Sequence, residues 1–153
     1  MLIREARMRR LMLALLPLLL AFGTGVSGCK QDTDWKTLDA EARSLCKQGQ
    51  YDRAIETAKK ALEVAEKAWG PDHLDVAASL NNLAMMYTTQ GQYAQAEPLF
   101  KRSLAIWEKA LGPDHPLVAD SLGNLAALYK ATNRAEEAEA FKKRAEAIRA
   151  IKR

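Results

Sequence analysis

In the middle of the chain the apolar positions fall into two runs of helical spacing. Leu80, Leu83, Ala84 and Tyr87 stand at i, i+3, i+4 and i+7, which puts them on one face of a helix. Gly91 breaks the run, and Ala96, Phe100, Ser103 and Leu104 then resume the same spacing. The pattern predicts two antiparallel helices joined by a tight turn, with small side chains packed against large ones.

The pair is not unique. Sliding the chain against itself by 42 residues brings Gly70-Pro71-Asp72-His73 onto Gly112-Pro113-Asp114-His115, Asn82-Leu83-Ala84 onto Asn124-Leu125-Ala126 and Tyr87 onto Tyr129. From Gly70 to Tyr87 this gives 12 identities in 18 positions. The same offset aligns Gly49-Gln50-Tyr51 with Gly91-Gln92-Tyr93 and Glu66-Lys67-Ala68 with Glu108-Lys109-Ala110. Three copies follow, over residues 33–70, 71–112 and 113–153, so about six helices are expected. His73 and His115 recur in the same linker of consecutive copies, which marks a structural role in the turn.

Leu80, Leu83, Ala84, Tyr87, Gly91, Tyr93, Ala96 and Phe100 resemble the large and small helix-contact positions of the tetratricopeptide repeat. That repeat is usually about 34 residues, so the extra eight are expected to lengthen the second helix by about two turns. With Asn-Leu-Ala, then Tyr, then Gln-Ala-Glu-Pro-Leu-Phe, the 42-residue copies resemble the kinesin light chain subclass. The resemblance implies an all-α solenoid of helical hairpins and a protein-binding role. The outer copies depart from it: Glu41 stands at a position usually Leu, Asn133 replaces the turn Gly, Ala135 replaces Tyr and Lys142 replaces Phe. Terminal copies face water on one side, so these departures are expected of caps. Pro98 lies early in a second helix and is expected to bend it slightly.

Composition agrees with the class. Residues 29–153 hold 24 Ala and seven Val plus Ile, and Ala favours helix while β-branched residues favour strand. Charge changes the picture at the N-terminus. The whole chain is +4, but Arg4, Arg7, Arg9 and Arg10 against Glu5 account for +3 of it, leaving +1. A domain with so little excess positive charge has no nucleic-acid footprint.

The four arginines are followed by the uncharged apolar run Leu11 to Val26 and by Val26-Ser27-Gly28-Cys29, the order of a secretory signal over residues 1–28. As a helix, the run would reach about 24 Å, short of the roughly 30 Å hydrocarbon core. Val26-Ser27-Gly28-Cys29 resembles the bacterial lipobox. That implies cleavage before Cys29, lipidation of its thiol and a stable anchor of two or three acyl chains, each buried methylene contributing about 0.8 kcal/mol. Residues 29–32 then form the lipidated terminus and a short tether, so the domain lies close to the bilayer. With Lys30 after the cysteine, the expected address in a Gram-negative cell is the periplasmic face of the outer membrane; otherwise it is the outer face of the cytoplasmic membrane. Cys46 then has no partner in the chain. It serves either as a small apolar helix residue or in an intermolecular disulfide.

A solenoid of this kind binds along its concave side, which the first helices line. The faces away from the core present Asn81, Asn82, Met85 and Thr89 in the second copy, Asn124 and Lys130 in the third, and Lys36, Asp39, Arg43 and Lys47 in the first. The family resemblance implies that Asn82 and Asn124 hydrogen-bond an extended peptide, since a carboxamide both donates and accepts. The alternative is a bond within the protein. Met85 offers either an adaptable apolar floor or plain packing. Lys36, Arg43 and Lys47 either hold a carboxylate or form a solvated face.

The last helix carries Glu136, Glu137 and Glu139 near its start and Lys142, Lys143, Arg144, Arg149, Lys152 and Arg153 toward its end, as a helix dipole favours. Its Ala138, Phe141, Ala145 and Ile148 form a stripe able to close the core. No nucleophile elbow, phosphate loop or metal-ligand spacing occurs, so neither catalysis nor a cofactor or metal is expected. The sequence thus predicts an envelope lipoprotein that acts as an adaptor for a protein or peptide partner. Three alternatives stay open: a noncatalytic regulator of cell-wall enzymes, a self-assembling structural lipoprotein, and a lipid- or lipopolysaccharide-contacting factor using the basic last helix.

Overall fold

The computed structural model describes residues 34–151; the leader, Cys29 and the tether lie outside the described residues. Six helices follow in order: α1 Trp35–Lys47, α2 Tyr51–Trp69, α3 Leu74–Thr89, α4 Tyr93–Leu111, α5 Pro116–Ala131 and α6 Ala135–Ile151. They pair as α1–α2, α3–α4 and α5–α6, and each hairpin packs on the next through α2–α3 and α4–α5. The described residues form an all-α solenoid of three hairpins. As the extra length predicts, α2 and α4 run to 19 residues each. Helix α4 continues through Pro98.

Two kinds of connection alternate. After α1, α3 and α5 the chain turns in three residues, and the bonds are those of a Schellman cap. The Gln50 N–H donates to Leu45 O, Gln92 to Tyr87 O and Arg134 to Tyr129 O, at 3.0, 2.8 and 2.8 Å. The residue before each donor is left-handed: Gly49 at φ +75, Gly91 at φ +74 and Asn133 at φ +60. Asn is the residue besides Gly that visits this region readily, so the third copy keeps the turn without its glycine. After α2 and α4 the connection is Gly-Pro-Asp-His. There Gly70 and Gly112 adopt φ +84, ψ 167 and φ +88, ψ 159, a region essentially closed to other residues. His73 and His115 then cap α3 and α5, each Nδ1 accepting the N–H two residues on at 3.2 Å.

Because neighbouring helices are antiparallel, all the short turns lie on one edge of the solenoid and all the linkers on the other. Between the edges runs one core. Leu80, Val76, Leu122, Val118 and Leu125 are fully buried, with Phe100 and Trp107 filling the seam between the second and third hairpins. Ser103 sits where α4 crosses α3, its Oγ donating to Ala77 O at 2.7 Å. The stripe predicted on α6 closes the core: Ala138, Ala145 and Ile148 are buried and Phe141 stacks on Tyr129 at 5.2 Å.

Candidate functional site

Helix α1 touches α3, and α3 touches α5, so the first helix of each hairpin lines one continuous face. Its polar residues cross-link successive hairpins. Asn82 Nδ2 donates to Asp39 Oδ1 at 2.8 Å, and Asn124 Nδ2 donates to Asn81 Oδ1 at 2.9 Å. Asp39, expected to face solvent, is 5% exposed, because Asn82 covers one carboxylate oxygen and Arg43 Nε lies 3.2 Å from the other. One donor of each carboxamide is therefore engaged inside the protein. What both keep for a ligand is their side-chain oxygen, an acceptor for a peptide N–H, and a second amide N–H.

Arg43, Asn82, Met85 and Thr89 come together with Cys46, Lys47 and Met86 around a cleft of about 250 Å³ between α1 and α3. Met85 is 48% exposed, one of the most exposed large apolar side chains among the described residues. Thr88 and Thr89 turn their hydroxyls back onto Ala84 O and Met85 O, both at 2.9 Å. The cleft is thus a soft floor of sulfur and methyl groups with Arg43 and Lys47 at its rim. Cys46 lines it half-buried, a placement that helical spacing alone did not reveal.

Lys130 lies elsewhere. It joins Ala126, Ala127, Ala138, Lys142 and Glu146 around a groove of about 500 Å³ between α5 and α6, at the end of the solenoid. The equivalent positions one copy earlier are buried by the next hairpin: Phe100, Leu104 and Trp107 stand where Lys142, Glu146 and Arg149 stand here. The exchange of large apolar for charged side chains makes this surface a solvated cap. The seven predicted groove residues therefore divide: Arg43, Asn82, Met85 and Thr89 around the first cleft, Asn81 and Asn124 joined beyond it, Lys130 on the cap.

The basic last helix offers less free charge than its sequence implies. Arg149 pairs with Asp120 at 3.2 Å, Arg144 with Glu108, and Lys142 lies between Glu139 and Glu146. On the turn edge, Glu97 receives Lys101 Nζ at 2.6 Å, Tyr129 OH at 2.6 Å and Arg134 Nη1 at 3.0 Å. The Lys101 bond, then the Tyr129 and Arg134 bonds, outweigh burial and hold the Glu97 carboxyl down at about 2. This cluster ties the second hairpin to the third. Among the described residues no group of three or more His, Cys, Asp or Glu could hold a metal ion, and no helix is long and apolar enough to cross a membrane.

Comparison with solved structures returns proteins built the same way. BtubC (BKLC) from P. vanneervenii is 26% identical with a TM-score of 0.72, covering 76% of this chain and 46% of its own. A Podosopora anserina kinesin light chain protein of nearly identical TPR-like repeats is 27% identical with a TM-score of 0.71, over 79% of this chain and 57% of its own. A point variant of that protein is 29% identical with a TM-score of 0.69, over 75% and 54%. The chain thus spans about half the length of these solved chains. No curated protein matches it. Residues 37–106 and 75–150 match the Tetratricopeptide repeat family, and the matches together cover all three hairpins. The chain belongs to the tetratricopeptide repeat family.

Proposed function

We propose that this protein is a lipid-anchored adaptor of the bacterial cell envelope that holds an extended protein segment against its first-helix face. Repeats of this family generally bind proteins, and the fold is typically a scaffold without catalysis. The observation that carries the reading is the cleft between α1 and α3, where an exposed methionine and the Thr89 methyl meet a basic rim. An apolar side chain of the partner enters the cleft, and its backbone N–H groups reach the Asn82 and Asn124 oxygens. Anchoring rests on the Val26-Ser27-Gly28-Cys29 lipobox and the basic, apolar leader before it. On that reading the domain lies in the periplasm of a Gram-negative cell or outside the cytoplasmic membrane of a Gram-positive one.

The test is a photo-crosslinking residue at Met85 in lipidating cells, with Glu63 on the outer side of α2 as control. Capture of one envelope protein from Met85 and not from Glu63 is the expected result. Equal capture from both, or self-adducts alone, overturns the groove reading and favours a self-assembling structural protein.

A further inference from the structure

The exposed large apolar side chains are not scattered. Among the described residues, Trp69, Leu117 and Ile151 are 45%, 40% and 67% exposed; the fourth is Met85 in the groove. Trp69 ends α2, Leu117 opens α5 and Ile151 ends α6, so all three stand on the linker edge. The turn edge presents Gln48, Gln90, Gly91, Asn133 and Arg134 instead. Trp69 stacks on His73 at 5.5 Å and meets Trp35 edge-on at 6.1 Å, which fixes its ring at the rim. Neither Trp69 nor Trp35 has an aromatic counterpart in the later copies, where Leu111 replaces the first and Ala77 and Ala119 the second. The repeat itself does not require them.

The chain also arrives at this edge. Trp35 opens α1, and only residues 30–34 separate it from Cys29, a reach of about 21 Å fully extended. With the turn edge toward the bilayer, Trp35 would stand roughly a full α1 length, about 20 Å, above it, close to the limit of that reach. With the linker edge down, the distance falls well within that reach. Tryptophan prefers the boundary between hydrocarbon and headgroups, where the ring is sheltered and the indole N–H stays wet. Three described bases near this edge are already paired, as Lys109–Asp72, Arg102–Glu66 and Arg149–Asp120, which leaves the apolar side chains as the attraction tested here.

We infer that the linker edge, through Trp69, Leu117 and Ile151, rests in the headgroup boundary of the membrane that holds Cys29. The solenoid then stands on the membrane surface with its helices roughly along the membrane normal and its groove open to the side. This rests on the anchoring reading above.

The test uses the full chain made in a lipidating host, with the Cys29 adduct verified by intact mass. In a Cys46→Ser background, Leu117→Cys and Gln90→Cys are each labelled with an environment-sensitive fluorophore. The protein is placed in phosphatidylethanolamine–phosphatidylglycerol vesicles whose acyl chains are brominated near the headgroup. Quenching at position 117 is expected to exceed that at 90 by about threefold or more, unchanged by high salt. Equal or reversed quenching on lipidated protein overturns the edge orientation and leaves anchoring standing. Quenching abolished by salt assigns the contact to the basic last helix and overturns this one. An unmodified Cys29 overturns the anchoring reading and the orientation with it.

Discussion

The two edges of the solenoid are made by the same three hairpins, yet they follow different rules. On the turn edge each connection is a Schellman cap, its left-handed residue lies near φ +60 to +75, and Asn133 serves as well as Gly91. On the linker edge, Gly70 and Gly112 adopt a conformation strained for any side chain, a histidine caps the next helix, and large apolar side chains stand partly in solvent. The turn edge is fully explained by folding. The linker edge carries more apolar surface than folding uses, and that surplus is where a function is to be sought.

The largest effect comes from cutting what joins the edges. Leu122 is fully buried at the centre of α5, and Leu122→Ala should cost about 3 kcal/mol of unfolding free energy in chemical denaturation. A loss under about 1 kcal/mol would mean that the third hairpin is not part of one cooperative core.

Glycine substitutions sharpen the contrast. No atom lies within 4 Å of a Cβ built at Gly91 or Gly112, so any cost is that of the backbone alone. Gly112→Asn should destabilise by about 2 kcal/mol, while Gly91→Asn should stay within about 1 kcal/mol, as Asn133 foreshadows. Equal costs would erase the distinction between the edges.

Acid should loosen the turn edge. The Glu97 carboxyl is held at about 2 against an ordinary 4.5, so it stabilises the fold above that ordinary value and loses this as pH falls toward 2. The loss is about 1–2 kcal/mol after screening, and Glu97→Gln should remove this part of the pH dependence in acid titrations followed by circular dichroism.

Removing a linker cap is a smaller change. His115→Ala leaves the Leu117 N–H without its acceptor and should cost about 1 kcal/mol in thermal unfolding. Leu117→Ser should cost least, under about 1 kcal/mol, because its side chain is 40% exposed and only partly packed. A substantially larger loss would mean that the exposed tips hold the fold together, and their assignment to a membrane contact would lose its basis.

The fold was legible because the chain states it three times. A 42-residue self-match, the i, i+3, i+4 spacing around Leu80 and Phe100, and the Gly-Pro-Asp-His linkers specify hairpins, turns and core together. The groove was legible only in part. Repeat logic aligns Asn82 with Asn124, but the hydrogen bonds join residues 43 apart, Asn82 to Asp39 and Asn124 to Asn81, because side chains on stacked first helices interleave rather than meet their own equivalents. The same interleaving buried Asp39 and brought Cys46 and Met86 into the cleft. Exposure at the linker edge was hidden for another reason: Trp69 and Leu117 satisfy helical spacing equally well inside or outside the core.

The most direct test of the whole account puts the same photo-crosslinker at Met85, Leu117 and Gln90 in lipidating cells and identifies each adduct by mass spectrometry. A single envelope protein is expected from Met85, lipid from Leu117 and neither from Gln90. The same adducts from all three positions would contradict this expectation.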